Sequence, residues 1–418
     1  MVVLWVPGTD HPRGNTPSRP RAWVSLETIQ LLWMESQREG FWPGVCSLKC
    51  NIGWEIVPFI SLFLTPTIAD LDLTLPHEDN RFLQPTLSLL THTCRQLRSL
   101  RMDIDTSASL SGDGMGRLIS ASRHTLHRLN IRSPTPPEIF PVIFNLPQLR
   151  RLTLQGPQLP NQIPSEISPP LEAIDFTSTH SSNLTQFLRR FSRLMEVSIH
   201  CAETIQVSAV LGSLRGAGTT MNSLYLSPVP ALDDPSITLL CTFTNLTFLR
   251  ISCACEVTQP CSIQLTDEDV FDLGGALPHI RALNLAPGCH TPPDVTFASL
   301  ILLSRTCSNL VYLAIKVDFE SIVDLDLSNE DKISLGDDKA HSRGERSRLH
   351  TLLVGNSSLP DTPRCEWMVA LALATIFPSV EHLFSYHGGG MHKRWNEVWG
   401  NILICQEIFR VTRGGGKR

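Results

Sequence analysis

One motif dominates this chain: apolar-x-x-apolar-x-apolar, which returns thirteen times. Its copies start at Val45, Ile68, Leu97, Leu126, Leu149, Leu171, Leu194, Met221, Leu246, Ile280, Leu310, Leu349 and Val380, at intervals of 22 to 39 residues. The copies are short and β-like. In Leu149-Arg-Arg-Leu-Thr-Leu-Gln, strand periodicity sends Leu152 and Leu154 to one face and Arg151, Thr153 and Gln155 to the other. One such strand cannot hide its leucines alone, so neighbouring copies must stack to make a continuous core.

Between the copies lie apolar segments of helical length, among them Thr86–Cys94, Gly116–His124, Asn183–Phe191, Asp267–Pro278, Asp294–Cys307 and Glu366–Pro378. Thr266-Asp-Glu-Asp and Thr291-Pro-Pro-Asp read as helix starts, with a capping hydroxyl and early carboxylates that suit the positive end of the helix dipole. Strand plus helix every 20 to 29 residues is the period of a leucine-rich repeat. The expected fold is therefore an α/β leucine-rich-repeat solenoid: a curved horseshoe with parallel strands on the concave face and helices or 3₁₀ turns on the convex face. A doubly wound α/β domain is the competing architecture. Its strands are covered on both sides and read as unbroken apolar runs, whereas these carry Asp, Arg, Asn, Thr or Ser at every outward position.

Composition narrows the function classes. With 35 Lys and Arg against 40 Asp and Glu in 418 residues, the formal charge is −5, which does not favour nucleic acid or an anionic membrane. Five apolar residues open the chain before Pro7 and Gly8, too few for a secretory signal, and no run approaches the roughly 18 apolar residues of a bilayer span. An intracellular protein, cytoplasmic or nuclear, is expected. Its 12 cysteines are then read as reduced, small core residues; Cys253, Cys255 and Cys261 cluster, but without the paired C-x₂-C of a zinc site.

Chemistry-bearing motifs are sparse. Gly112-Asp-Gly-Met-Gly116 lies between a strand and a helix, but Arg117 stands where a dinucleotide loop needs glycine and no Lys-Ser or Lys-Thr follows, so it reads as a long repeat connection. His387-Gly-Gly-Gly-Met-His392 reads as a turn. H-E-x-x-H, G-x-S-x-G and C-x-x-C are absent from the sequence. No catalytic residue, cofactor or metal site is assigned, and the chain is read as a non-enzyme.

A surface remains. In solenoids the strand face is the usual binding site. Its outward positions give Arg101, Arg128, Arg132 and Arg151 on three consecutive strands, interspersed with Asp70, Asp72 and Asp103. Further along, Tyr225, Phe248, Arg250, Tyr312, Phe384 and Tyr386 project from the same face. Tyr and Arg are enriched in interface hot spots, so these ten residues are the candidate contacts for a protein partner.

From Phe41 to about Phe409 the chain resembles the leucine-rich-repeat proteins of the F-box family of mushroom-forming fungi. The resemblance is carried by Asn51-IGWEIVPFISLFLTPTIADLDL and LTDEDVFDLGGALPHIRALNLAP from Leu265. It continues in CHTPPDVTFASLILLSRTCSNLVYLAI from Cys289 and PSVEHLFSY from Pro378. It implies repeats that capture a protein substrate and an N-terminal F-box that joins a cullin-type ubiquitin ligase adaptor. No L-P-x-E-[IL]-L-like segment is read before Trp23, so the F-box itself is absent from the stretch read and the adaptor is expected as a partner only if an F-box lies upstream.

The expected organisation is a disordered segment over 1–21 and a repeat domain over 22–409 led by a capping helix at Trp23–Glu39. A charged loop over 318–348, with nine acidic and five basic residues, interrupts the repeats, and a flexible basic tail covers 410–418. The expected role is a non-catalytic substrate-recognition module related to F-box adaptors, binding a protein on the concave face. The alternative is a free-standing leucine-rich-repeat inhibitor or regulator.

Overall fold

The structure, a computed structural model, describes residues 31, 45–51, 60–61, 63–75, 80–104, 112–160, 168–179, 183–201, 203–255, 262–320, 322, 347–360, 362–386 and 390–414. The chain divides into two compact units, Met1–Leu194 and Met195–Arg418.

In the first unit the strands are β1 (Ser47–Asn51), β2 (Asp70–Leu75), β3 (Ser99–Ile104), β4 (Arg128–Pro134), β5 (Arg151–Gln155) and β6 (Ala173–Thr179). They pair in parallel and in chain order. The register puts Leu48, Leu71, Leu100, Leu129, Leu152 and Ile174 in one row, each at most 2% exposed. Helices α1 (Asn80–Thr93), α2 (Gly112–Ala121), α3 (Phe140–Phe144) and α4 (Leu184–Leu188) return the chain between strands or follow the last of them. Phe140, Phe144, Phe176, Phe187 and Phe191 pack as a ring cluster with centroids 5.1 to 6.2 Å apart.

The second unit repeats the plan with β7 (Glu196–Cys201), β8 (Ser223–Val229), β9 (Ala231–Leu232), β10 (Phe248–Cys253), β11 (Ser262–Ile263), β12 (Ala282–Leu285), β13 (Tyr312–Ile315), β14 (Thr351–Gly355) and β15 (His382–Ser385). Seven of these form the parallel ladder; β9 and β11 make a separate two-stranded pair. Its helices are α5 (Val207–Leu214), α6 (Asp234–Leu240), α7 (Asp267–Ala276), α8 (Phe297–Thr306), α9 (Pro363–Ile376) and α10 (Gly390–Gly414). Val197, Leu224, Leu249, Leu283, Leu313 and Leu352 continue one buried row. Full burial of each such side chain contributes about 1.5 to 3 kcal/mol. Both units have the leucine-rich-repeat architecture.

Every ladder strand begins two residues into its motif copy. The reason is a repeated backbone clamp. The carbonyl of the second motif residue accepts two successive amides from the next copy: Arg98 and Ser99 N–H to Ala69 O, Arg150 and Arg151 N–H to His127 O, Thr247 and Phe248 N–H to Asn222 O, Val311 and Tyr312 N–H to Arg281 O, all at 2.7 to 3.1 Å. These bonds fix the register at each strand's entry and leave no buried amide unpaired there.

Helix starts follow local chemistry. Thr266 and Asp269 form a reciprocal capping box at α7. Asp267 then reaches forward to accept Thr296 N–H at 2.8 Å, Thr296 hydroxyl at 2.6 Å and the Ser299 hydroxyl, tying α7 to α8. Thr296 is consequently the α8 cap, and the helix start expected at Thr291 is corrected; the Thr291 carbonyl instead receives the Lys316 ammonium at 2.7 Å. The glycine run from Gly112 is also corrected: it is the first turn of α2 rather than a connection. Gly114 lets α1 approach, since a Cβ there would meet Gln84 at 2.6 Å and Leu87 at 3.1 Å.

Several expected boundaries move. Residues 1–30 and 32–44, which hold the expected N-terminal segment and nearly all of the expected capping helix, lie outside the described residues, as do 323–346 of the charged loop. The loop's first residues belong to the core: Phe319 and Ile322 are fully buried, and Phe319 meets Phe297 and Trp395 at 6.3 and 5.2 Å. Helix α10 runs through Gly414, so 410–414 of the expected tail are helical, and it covers the last coil with buried Trp395, Val398, Ile402 and Cys405. Ten described cysteines carry thiols, while Cys255 is disulfide-bonded, which corrects the uniformly reduced reading. Among the described residues no helix is long and apolar enough to cross a membrane, and no cluster of His, Cys, Asp or Glu is arranged to hold a metal.

Candidate functional site

The solvent face of each ladder follows from the register. In the first unit, Lys49, Asp72, Arg101, Asn130, Thr153 and Asp175 occupy one outward row. Asp72 sits between two cations, with Lys49 Nζ at 2.9 Å and Arg101 Nη1 at 3.6 Å from Oδ2. Arg101 is thereby engaged along the sheet, with its Nε buried and lacking a hydrogen-bond partner. Arg128 and Arg151 are register neighbours on β4 and β5, and both are exposed. Arg132 is exposed opposite Asp103. The arginines are where the alternation put them, but carboxylates divide them into short groups rather than one basic stripe.

The second unit carries an aromatic patch. Tyr225 and Arg250 face each other on β8 and β10, and the guanidinium lies over the phenol ring, 4.9 Å from its centroid. Next in the row is Asn284 on β12. Although outward, Asn284 is only 8% exposed, and its Oδ1 is buried with no hydrogen-bond partner. Tyr312 on β13 hydrogen-bonds the Asn284 side chain. Burial pushes the Tyr312 phenol up from its ordinary value, Tyr386 pushes it further, and Arg250 with Asn284 pull against the rise. Tyr386 is 55% exposed, and its ring lies against Gly288, where an added Cβ would stand 3.6 Å from Cε2.

Phe384 and Phe248 flank this centre. Phe384 is 53% exposed and stacked on His382 at 6.0 Å, while Phe248 is 38% exposed between Ser223 and Ala282. The structure thus gathers Tyr225, Arg250, Tyr312 and Tyr386 around Asn284, with the two phenylalanines on the same strand face. Asn284 and His382 escaped the sequence reading, which looked for large or charged outward residues. Their signal was position alone, since both occupy outward places in their strands.

No protein-family model matches the chain, and no curated protein matches it. Among solved structures, a chain of the Rad7 and Elc1 complex in yeast is similar at 17% identity over 62% of this chain, with a TM-score of 0.39. The match spans 66% of that chain's length. A leucine-rich-repeat protein of Leptospira interrogans is similar at 12% identity over 84% of this chain and 97% of that one, with a TM-score of 0.31. Both scores are low, and the assignment of leucine-rich repeats stands on the strand ladders themselves.

Proposed function

We propose that the chain is a non-catalytic protein–protein interaction module that holds its partner on the outward strand face, with the aromatic patch of the second unit as the principal contact. One observation carries this reading: Phe248, Phe384 and Tyr386, each more than a third exposed, share a strand face with a stacked Arg250–Tyr225 pair and a buried, unsatisfied Asn284 oxygen. Exposed aromatic and arginine side chains around a desolvated acceptor have the composition of an interface hot spot. A protein donor reaching Asn284 Oδ1 would satisfy it and convert a cost of about 1 to 3 kcal/mol into affinity.

The finer proposal is a substrate-recognition subunit related to F-box ubiquitin-ligase adaptors, and it rests on the sequence resemblance alone. The two levels separate experimentally. Replacing Arg128, Arg151, Tyr225 and Tyr312 together should abolish partner capture by the full chain in its own cells while the circular dichroism and melting of the protein stay native-like. Unchanged capture sinks the strand-face reading. Capture that persists with no cullin adaptor in the complex keeps the interaction module and removes the ligase role.

A further inference from the structure

Three successive strands of the second unit bring sulfur and nitrogen together at their C-terminal ends. Strand β10 ends at Cys253 and is followed by Cys255; the turn after β12 delivers Cys289; Lys316 follows β13. Cys255 is disulfide-bonded, yet its Sγ lies 3.6 Å from the Sγ of Cys289. Ala286, at φ 48°, starts the turn that places Cys289, and Cys289 N–H closes it on Ala286 O at 3.0 Å. Lys316 Nζ donates to Cys289 O at 3.1 Å and Thr291 O at 2.7 Å, which holds a positive charge beside the thiol.

The local chemistry favours a thiolate at Cys289. Its pKa is lowered first by a hydrogen bond from Cys253, then by hydrogen bonds from Thr291 and by the Lys316 charge, against the opposing effect of burial. Cys253 is shifted the other way, chiefly by that same hydrogen bond, and so stays protonated as its donor. Cys289 is 3% exposed and lines a hollow with Ile263, Thr291, Pro292 and Lys316, so an intramolecular reaction is favoured over attack on bulky disulfides.

We propose that Cys253, Cys255 and Cys289 form a thiol–disulfide exchange site in which Cys289 attacks Cys255. The Cys289 thiolate uses its electron pair to bond Cys255 Sγ, closing from 3.6 Å to the roughly 2.05 Å of a disulfide. The existing bond of Cys255 breaks, and its pair leaves on the former partner sulfur as a thiolate. One disulfide is consumed and one formed, one thiolate enters and one leaves, and no outside oxidant is required. The product staples the β10 repeat to the β12 repeat beside Gly288, directly behind the Tyr386 ring. The exchange stands on sulfur geometry and does not depend on what the strand face binds.

The test is disulfide mapping of the purified full chain. The protein is equilibrated in a glutathione buffer near pH 8, quenched in acid, alkylated and digested without reduction, and its linked peptides are read by mass spectrometry. Two disulfides of similar strain exchange within about tenfold of equality, so Cys255–Cys289 peptides are expected at a tenth or more of all Cys255 disulfide. They should vanish in Cys289→Ser and persist in Cys241→Ser. Because Cys289→Ser could misfold, the wild-type map is decisive: Cys289 recovered wholly alkylated, with Cys255 in a single linkage throughout, overturns the proposal.

Discussion

The guanidinium of Arg250 lies 4.9 Å above the ring of Tyr225, on adjacent strands and in register. This contact is on the solvent side of the sheet, so it orders the surface more than it stabilises the core. Arg250→Ala should therefore cost less than about 1 kcal/mol in urea unfolding yet weaken partner binding by more than about 2 kcal/mol, some thirtyfold. Arg250→Lys keeps the charge but loses the planar stack, and it should fall nearer to alanine than to wild type in binding. Equal losses of stability and affinity would assign Arg250 a structural role.

Gly355 fixes the loop beneath the patch. Its φ of 58° and its approach to Pro287, where an added Cβ would stand 1.9 Å from the carbonyl oxygen, leave no room for a side chain. The same turn lets Asn356 N–H donate to Pro287 O and Tyr386 N–H to Gly355 O. Gly355→Ala should destabilise the protein by at least about 2 kcal/mol through strain and displacement, seen as a lower urea midpoint with an unchanged slope.

How much of this was legible in the sequence depends on which force set each element. The thirteen strands were, because one leucine pattern and one backbone clamp recur in every copy, so position alone predicts that Leu152 is buried and Arg151 is not. The site was legible residue by residue but not as a cluster, since the alternation says which way Tyr225 points and nothing of whether Asn284 beside it is covered. The cap of α8 was misread because its partner, Asp267, comes from the preceding repeat, and the Thr291-Pro-Pro-Asp signal is purely local. Helix α10 went unrecognised for a related reason: it belongs to no repeat, and its buried face is defined by the coil it covers. The sulfur cluster draws on two repeats 34 residues apart at Cys255 and Cys289, a proximity that only the strand ladder supplies.

The Arg394–Glu366 pair anchors α10 to α9. Nε and Oε1 are 2.5 Å apart, the two side chains are 25% and 11% exposed, and Arg394 also donates to Pro360 O. Arg394→Leu leaves a buried carboxylate without its cation and should cost about 3 to 5 kcal/mol by thermal or urea unfolding. The double variant with Glu366→Gln should recover a good part of that loss. A double variant no more stable than Arg394→Leu would show that packing, not the charge, is what was lost.

Alkaline stability should fall in a defined window. Burial pushes the thiols of Cys50 and Cys94 up from 9.0 to about 12 in the folded state. The unfolded chain therefore releases these protons first, so their contribution is fully present below pH 9 and is lost as pH rises toward 12. Each thiol should add a slope of about 1.4 kcal/mol per pH unit within that window. Cys94→Ala should lower the slope between pH 9.5 and 11 by one proton, whatever it does to stability at pH 7.

The central claim, that a protein partner sits on the strand face of the second unit, is tested most directly by site-specific photocrosslinking in cells. A crosslinking amino acid is placed singly at Phe248, Phe384 and Tyr386 on the strand face, and at Phe271 and Trp367, which are 57% and 40% exposed on helices α7 and α9. The account predicts one shared adduct from the three strand-face positions and none from the two helical ones. An adduct formed from Phe271 or Trp367 while the strand face stays unlabelled would contradict it.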